Sequence, residues 1–109
     1  MDKNVLEGLF QVIKERQESP QAGSYTCYLF EQGIDKILKK CGEECSEVII
    51  AAKGEDQEAL IGEICDLTYH ILVLMAQRDI ELEEVMAVLE QRRQKLGNLK
   101  EFKRVDKLT

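Results

Sequence analysis

Ile64-Cys65-Asp66-Leu67-Thr68-Tyr69-His70-Ile71-Leu72-Val73-Leu74-Met75-Ala76 is the stretch whose reading decides the fold. Wound as a helix, it is apolar on nearly all sides, and such a helix is expected at the centre of a packed assembly. Working outward, Gly54-Glu55-Asp56 supplies a stop for one helix and a start for the next, with Asp56 as N-cap. The central helix is thus expected over 57–77, preceded by a long helix over 34–53. Arg78-Asp79-Ile80 makes a short turn into a further helix over 81–96. Upstream, Asn4 or Asp2 can cap a first helix over 5–17, with Leu6, Leu9, Phe10, Val12 and Ile13 as its apolar stripe. Ser19-Pro20 ends it, because the residue before proline is driven out of helical geometry. A polar loop follows, and Ser24 or Thr26 caps a short turn through Leu29 and Phe30 that breaks at Gly33. No repeat, low-complexity tract or strand-like alternation is present. The expected fold is all-α, a bundle of four to five helices, with a mobile tail over 97–109.

Composition agrees. Helix formers dominate and Pro20 is the one proline among 109 residues. A chain of this length fits one domain, 1–109, and buries roughly 65% of its unfolded surface. That leaves little for a deep enclosed pocket, so completion of a site by another copy of the chain is expected. The net charge of −6 argues against general nucleic-acid or anionic-membrane partners. It is compatible with a phosphorylated ligand, because a divalent cation reverses the local field. The N-terminus shows no signal-peptide block, and the apolar run 64–77 is shorter than a bilayer crossing and carries Asp66. A soluble, cytoplasmic protein is expected. Cys27, Cys41, Cys45 and Cys65 alternate with aliphatic residues as small buried hydrophobes do. No C-x-x-C pair suggests zinc.

Acidic residues break this plain pattern. With Ile37 set at zero on the helix over 34–53, Cys41, Val48, Cys45 and Ile34 fall within roughly 80° on one side. Glu44 falls about 20° to the other side, at the edge of the buried stripe. Lys40 and Glu47 lie slightly further round. On the central helix, Glu63, Asp66 and His70 share one face. An uncompensated carboxylate in an apolar setting costs several kcal/mol and requires a cation or a shifted pKa. Two facing helices, each with a carboxylate pair three apart, would converge four acidic groups. Oxygen ligands at that density suit Mg²⁺ or Mn²⁺. Glu43, Glu44 and Glu47 also fit an ordinary solvated face; Asp66, in a run with no other charge, fits it poorly. His70 reads as a hydrogen-bonded core residue beside the ligands rather than one of them. Lys39 and Lys40 can meet phosphate as point charges or stand solvated. Ser24, Tyr25 and Thr26 offer hydroxyls and an aromatic face; Arg16, Arg92 and Arg93 are further phosphate candidates.

The strings Gly23-Ser24-Tyr25-Thr26, Gly33 through Glu47 with its Lys39-Lys40-Cys41-Gly42-Glu43-Glu44 run, and Glu63 through His70 resemble the phosphoribosyl-ATP pyrophosphatases of the MazG-like all-α superfamily. The likeness covers roughly residues 5–95. The two acidic pairs mark only the superfamily; the other strings together are far more specific. The resemblance implies hydrolysis of phosphoribosyl-ATP between its α- and β-phosphates, the second step of histidine biosynthesis, giving phosphoribosyl-AMP and pyrophosphate. It implies Mg²⁺ held by Glu44, Glu47, Glu63 and Asp66, with Glu43 as a supporting group or base. On the substrate side it implies Ser24, Tyr25, Thr26 and Lys40. It also implies a homodimer with sites at the subunit interface. Cysteines at 41, 45 and 65 stand where the family commonly carries Val or Ala. The alternatives are a MazG-like pyrophosphatase of ordinary nucleoside triphosphates and a non-catalytic helical dimerisation module.

Overall fold

A computed structural model describes residues 4–97, and all of its regular elements are helices. They are α1 (Val5–Glu18), α2 (Tyr25–Gln32), α3 (Ile34–Lys53), α4 (Gln57–Gln77) and α5 (Leu82–Leu96). The all-α expectation holds. The tail expected to be mobile lies, beyond Gly97, outside the described residues, as does Asp2.

Local chemistry sets the boundaries. Ser24 accepts a hydrogen bond from the Cys27 amide and caps α2; Asp56 accepts one from the Ala59 amide and caps α4. Glu81 and Glu84 form a reciprocal capping box at the start of α5. The expected short turn after Ser24 is instead an eight-residue helix. Its cap and its buried Leu29 stabilise it beyond what the surrounding loop residues suggest. Gly33, at φ +92°, ends α2 and opens α3 in a conformation that side-chain-bearing residues rarely adopt. The change of direction between the two helices rests on that residue.

Every helix contributes to one core: Phe10 and Ile13 from α1, Leu29 from α2, Ile37 from α3, Leu72, Val73, Met75 and Ala76 from α4, and Leu82 from α5. This core gathers around the C-terminal half of α4 and the N-terminal half of α3. Two members of the expected α1 stripe, Leu6 and Val12, are exposed. The N-terminal half of α4 is also less covered than expected. Ile61 is 59% exposed, and Ile49 and Ile50 on α3 are 65% and 72% exposed. By length and composition α4 is sufficient to cross a membrane, unlike the shorter run 64–77 considered alone. Its C-terminal half packs into the core through Leu72, Val73, Met75 and Ala76, while much of its N-terminal half is exposed.

The cysteines depart from expectation. Cys27 and Cys41 are half-buried, Cys45 and Cys65 are exposed, and all four are free thiols. Cys45 lies far enough round α3 from Ile37 to leave the core, so its spacing alone misled.

Leu29 has no solvent exposure and sits where α2 meets the core. Leu29→Ala is expected to lower stability by about 2–5 kcal/mol, whereas Val88→Ala on exposed α5 changes it little. Urea denaturation of the two variants checks this.

Candidate active site

Mid-way along α3 and α4 the two helices face each other with their acids. Glu44, Glu63 and Asp66 each bring one carboxylate oxygen to within 4.8 Å of the others. The three differ in burial: Glu44 is only 6% exposed, Glu63 is half-buried and Asp66 is exposed. The deepest acid is therefore Glu44, not Asp66 as the apolar context of α4 suggests. One oxygen each of Glu44 and Glu63 is buried without a hydrogen-bond partner. Oxygens in that condition call for a cation or a proton.

Glu47, the fourth expected ligand, stands exposed at the rim beside Glu63 and Glu44. Hydrogen bonding with Glu63 and then Glu44 holds Glu47 below the ordinary carboxylate value. The same contact with Glu47, reinforced by burial and by the charges of Glu47, Asp66 and Glu44, raises Glu63 to about 7. Burial, followed by the contact with Glu47, raises Glu44. The cluster thus holds a proton near neutrality in place of a positive charge.

Lys40 is the cation on this flank. Its ammonium lies 3.3 Å from Glu43 and 3.7 Å from Glu44. Glu43 is exposed and engaged by Lys40, outside the three-carboxylate group. Tyr25 and Thr26 project from the first turn of α2 onto α4. The Tyr25 hydroxyl lies 3.0 Å from His70 Nε2, and Thr26 bonds the Tyr69 hydroxyl. His70 is buried, with Nδ1 2.7 Å from the Asp66 carbonyl oxygen. Ser24 is occupied in capping α2. Arg16 lines a separate cleft with Pro20, Gln21, Cys27 and Glu31.

Sequence reading therefore brought Glu44, Glu47, Glu63, Asp66, Lys40, Tyr25 and Thr26 to one place. It did not find Tyr69, although its spacing of three from Asp66 puts it on the same face of α4. The pairing of His70 with Tyr25 was equally hidden, since it depends on how α2 crosses α4.

The profile of the phosphoribosyl-ATP pyrophosphohydrolase family matches residues 6–93. The chain belongs to this family. A phosphoribosyl-ATP pyrophosphatase of Clostridium botulinum (strain Hall) is 58% identical over 106 residues, covering 96% of each chain. Its counterpart from Listeria welshimeri is 53% identical over 104 residues, covering 95% of this chain and all of the relative. That of Lacticaseibacillus casei is 50% identical over 105 residues, covering 96% of each.

In this phosphoribosyl-ATP pyrophosphohydrolase family member the acid cluster carries a pH signature. Glu63 binds its proton more tightly folded, at about 7, than at its ordinary value of 4.5. Between those values the folded chain holds more protons than the unfolded chain, so this contribution to stability falls as pH rises. With EDTA present, the melting temperature is expected to drop between about pH 5 and pH 7.5, and Glu63→Gln to flatten that drop. Thermal melts across the range check it; an unchanged slope in the variant would contradict it.

Proposed function

We propose that the acidic centre hydrolyses phosphoribosyl-ATP to phosphoribosyl-AMP and pyrophosphate, the second step of histidine biosynthesis, with Mg²⁺ as cofactor and Mn²⁺ as an alternative. The observation carrying this reading is the meeting of the Glu44, Glu63 and Asp66 oxygens within 4.8 Å. The names of the relatives supply the substrate.

The donor set suits a hard divalent cation. It consists of oxygen only, it is crowded, and two of its buried oxygens lack partners. Glu44, Glu63 and Asp66 would hold the ion, with Glu47 completing the set from the rim. The ion supplies charge neutralisation on the phosphates and acidification of water. Lys40 meets a phosphate oxygen as a point charge, and its partner Glu43 keeps the ammonium on the site's flank. Tyr25 and Thr26 form the nucleotide side of the cleft, with Ser24 fixing the turn that presents them. In the reaction water adds to phosphorus, the α–β anhydride bond breaks, and pyrophosphate leaves. Glu47, exposed and held below the ordinary carboxylate value, stays ionised as part of that ligand set, and the water's proton passes out to solvent. Arg16, in its separate cleft, has no part in this reading.

A homodimer fits the same picture. Ile49, Ile50, Ile61 and Ile64 leave an apolar face on the α3–α4 hairpin beside the acids, and a second copy covers such a face most simply. We place the protein in the cytoplasm as a soluble enzyme, with no nucleic-acid or membrane partner.

Two experiments test the reading. Purified protein is offered phosphoribosyl-ATP and deoxynucleoside triphosphates with Mg²⁺ titrated; pyrophosphate is expected from the first and little from the second. Glu47→Gln and Asp66→Asn, which keep shape and remove charge, are expected to lose nearly all activity while remaining folded. Retention of most activity at low Mg²⁺ would remove that residue from the ligand set. Separately, Mg²⁺ or Mn²⁺ is expected to raise the wild-type melting temperature progressively with its concentration, because a ligand of the folded state alone stabilises that state. Ile50→Glu is expected to shift sedimentation from dimer to monomer.

A further inference from the structure

Lys36, Lys40 and Glu44 are spaced by four and run along one face of α3. The two lysines are held in different ways. Lys40 lies against Glu43 and Glu44, which neutralise much of its charge. The Lys36 ammonium instead lies over the Tyr28 ring, 5.8 Å from the centroid. Among the described residues Lys36 forms no ion pair, although the chain carries 21 acidic residues against 15 basic ones. An aromatic face attracts a cation and fixes its place without cancelling its charge, so Lys36 keeps a full charge to offer an anion. Tyr28 is 42% exposed and Lys36 half-buried, so the pair is both held and reachable from solvent. Contacts tie it to the acidic centre. Tyr28 stacks on Tyr25 at 6.1 Å, and Tyr25 stacks on Tyr69 at 6.2 Å. The Tyr25 hydroxyl lies 3.0 Å from His70 Nε2, and His70 Nδ1 lies 2.7 Å from the Asp66 carbonyl oxygen. This row of rings starts beside Asp66 and ends at the Lys36 ammonium. Along α3, Lys36 stands roughly 12 Å of helix rise before Glu44.

We propose that Lys36, held in place by Tyr28, binds the second sugar phosphate of phosphoribosyl-ATP and so separates this substrate from ATP. The molecule has charge at two ends: a triphosphate on one side of the adenine and a sugar phosphate on the other, with the purine between. The protein has the matching order, with the acids and Lys40 at one end, tyrosine rings in the middle and an unpaired ammonium at the other. A phosphate dianion accepts a hydrogen bond from an ammonium in any of several directions, so a lysine fixed only by a ring face is sufficient to hold it. ATP leaves that ammonium without a partner and loses its contribution. Tyr28 acts through Lys36 as a positioning residue. This inference rests on the proposed hydrolysis of phosphoribosyl-ATP and names what selects the substrate.

The test measures pyrophosphate release from phosphoribosyl-ATP on the full chain with saturating Mg²⁺, with ATP added as a competing ligand. ATP lacks the second sugar phosphate, so its inhibition constant reports the rest of the site. Lys36→Met keeps the length of the stem and removes the charge. It is expected to raise KM for phosphoribosyl-ATP roughly tenfold, the effect of one lost charge-assisted hydrogen bond, with a smaller change in kcat. The inhibition constant of ATP should stay near the wild-type value. Lys36→Arg, which keeps a cation on the ring, should lie nearer the wild type. Tyr28→Leu should raise the same KM by less and add nothing in a Lys36→Met background. An equal weakening of ATP would assign Lys36 to the triphosphate, and an equally impaired Lys36→Arg would assign the effect to packing of the stem. Losses that multiply in the double variant would uncouple the ring from the ammonium. Each of these results overturns the inference. Melting temperatures accompany each assay, and should Lys36→Met fail to fold, Lys36→Gln removes the same charge and decides. A wild type without turnover of phosphoribosyl-ATP overturns the hydrolase reading and this inference together. An active wild type with an unchanged KM in Lys36→Met overturns this inference alone.

Discussion

Carboxylates of like charge repel, and at separations below 5 Å with partial burial the repulsion is large enough to shift their proton affinities. Glu44, Glu63 and Asp66 are nonetheless brought together by two helices packed against each other. α3 is anchored by Ile37 below the acids, and α4 by Leu72, Val73, Met75 and Ala76. The remaining helices serve that anchorage. Phe10 and Ile13 of α1, Leu29 of α2 and Leu82 of α5 close the core around the α3–α4 pair and fix its register. The fold supplies the free energy that crowds the acids, and the crowding is what makes the centre bind positive charge.

α2 has the second essential position. It is short, and its own helical stability is small. Ser24 at its N-cap and Gly33 at its end define both termini, while Leu29 buries its inner face. Its first turn then reaches α4 through two successive side chains, Tyr25 to His70 and Thr26 to Tyr69. Two neighbouring bonds to two neighbouring residues resist rotation of α2 about either one. The hydroxyl side of the cleft is therefore set by the same helix that carries Glu63 and Asp66.

Much of this was legible in the chain, because helix periodicity and capping act locally. Asp56, Gly54 and Ser19-Pro20 mark boundaries through backbone chemistry that needs no partner, and α1 and α3 end and α4 begins where those residues place them. The two acidic pairs were legible for the same reason: a spacing of three puts carboxylates on one face. What failed depended on contacts between helices. The extent of α2 follows from the burial of Leu29, which no local signal carries. The exposure of Cys45, Cys65 and the isoleucines around them follows from where the bundle stops covering α3 and α4. The place of Glu44 beside Ile37 was readable from spacing, but the exposure of Asp66 was not, so the ranking of burial among the acids was hidden. Asp66 looks isolated in sequence because its neighbours are apolar, yet its side chain leaves the helix toward the open cleft.

The gradient of burial across the acids also explains why they are not equivalent. Glu44 and Glu63 are pushed toward the protonated form, while Glu47 at the rim is held ionised by bonds to both. A proton on Glu63 still leaves one buried oxygen each of Glu44 and Glu63 without a hydrogen-bond partner. A divalent cation in its proposed place would answer both deficits at once, since it interacts with several oxygens where a proton bridges two. Its binding would have to displace that proton, so cation affinity and proton affinity are linked in opposite directions.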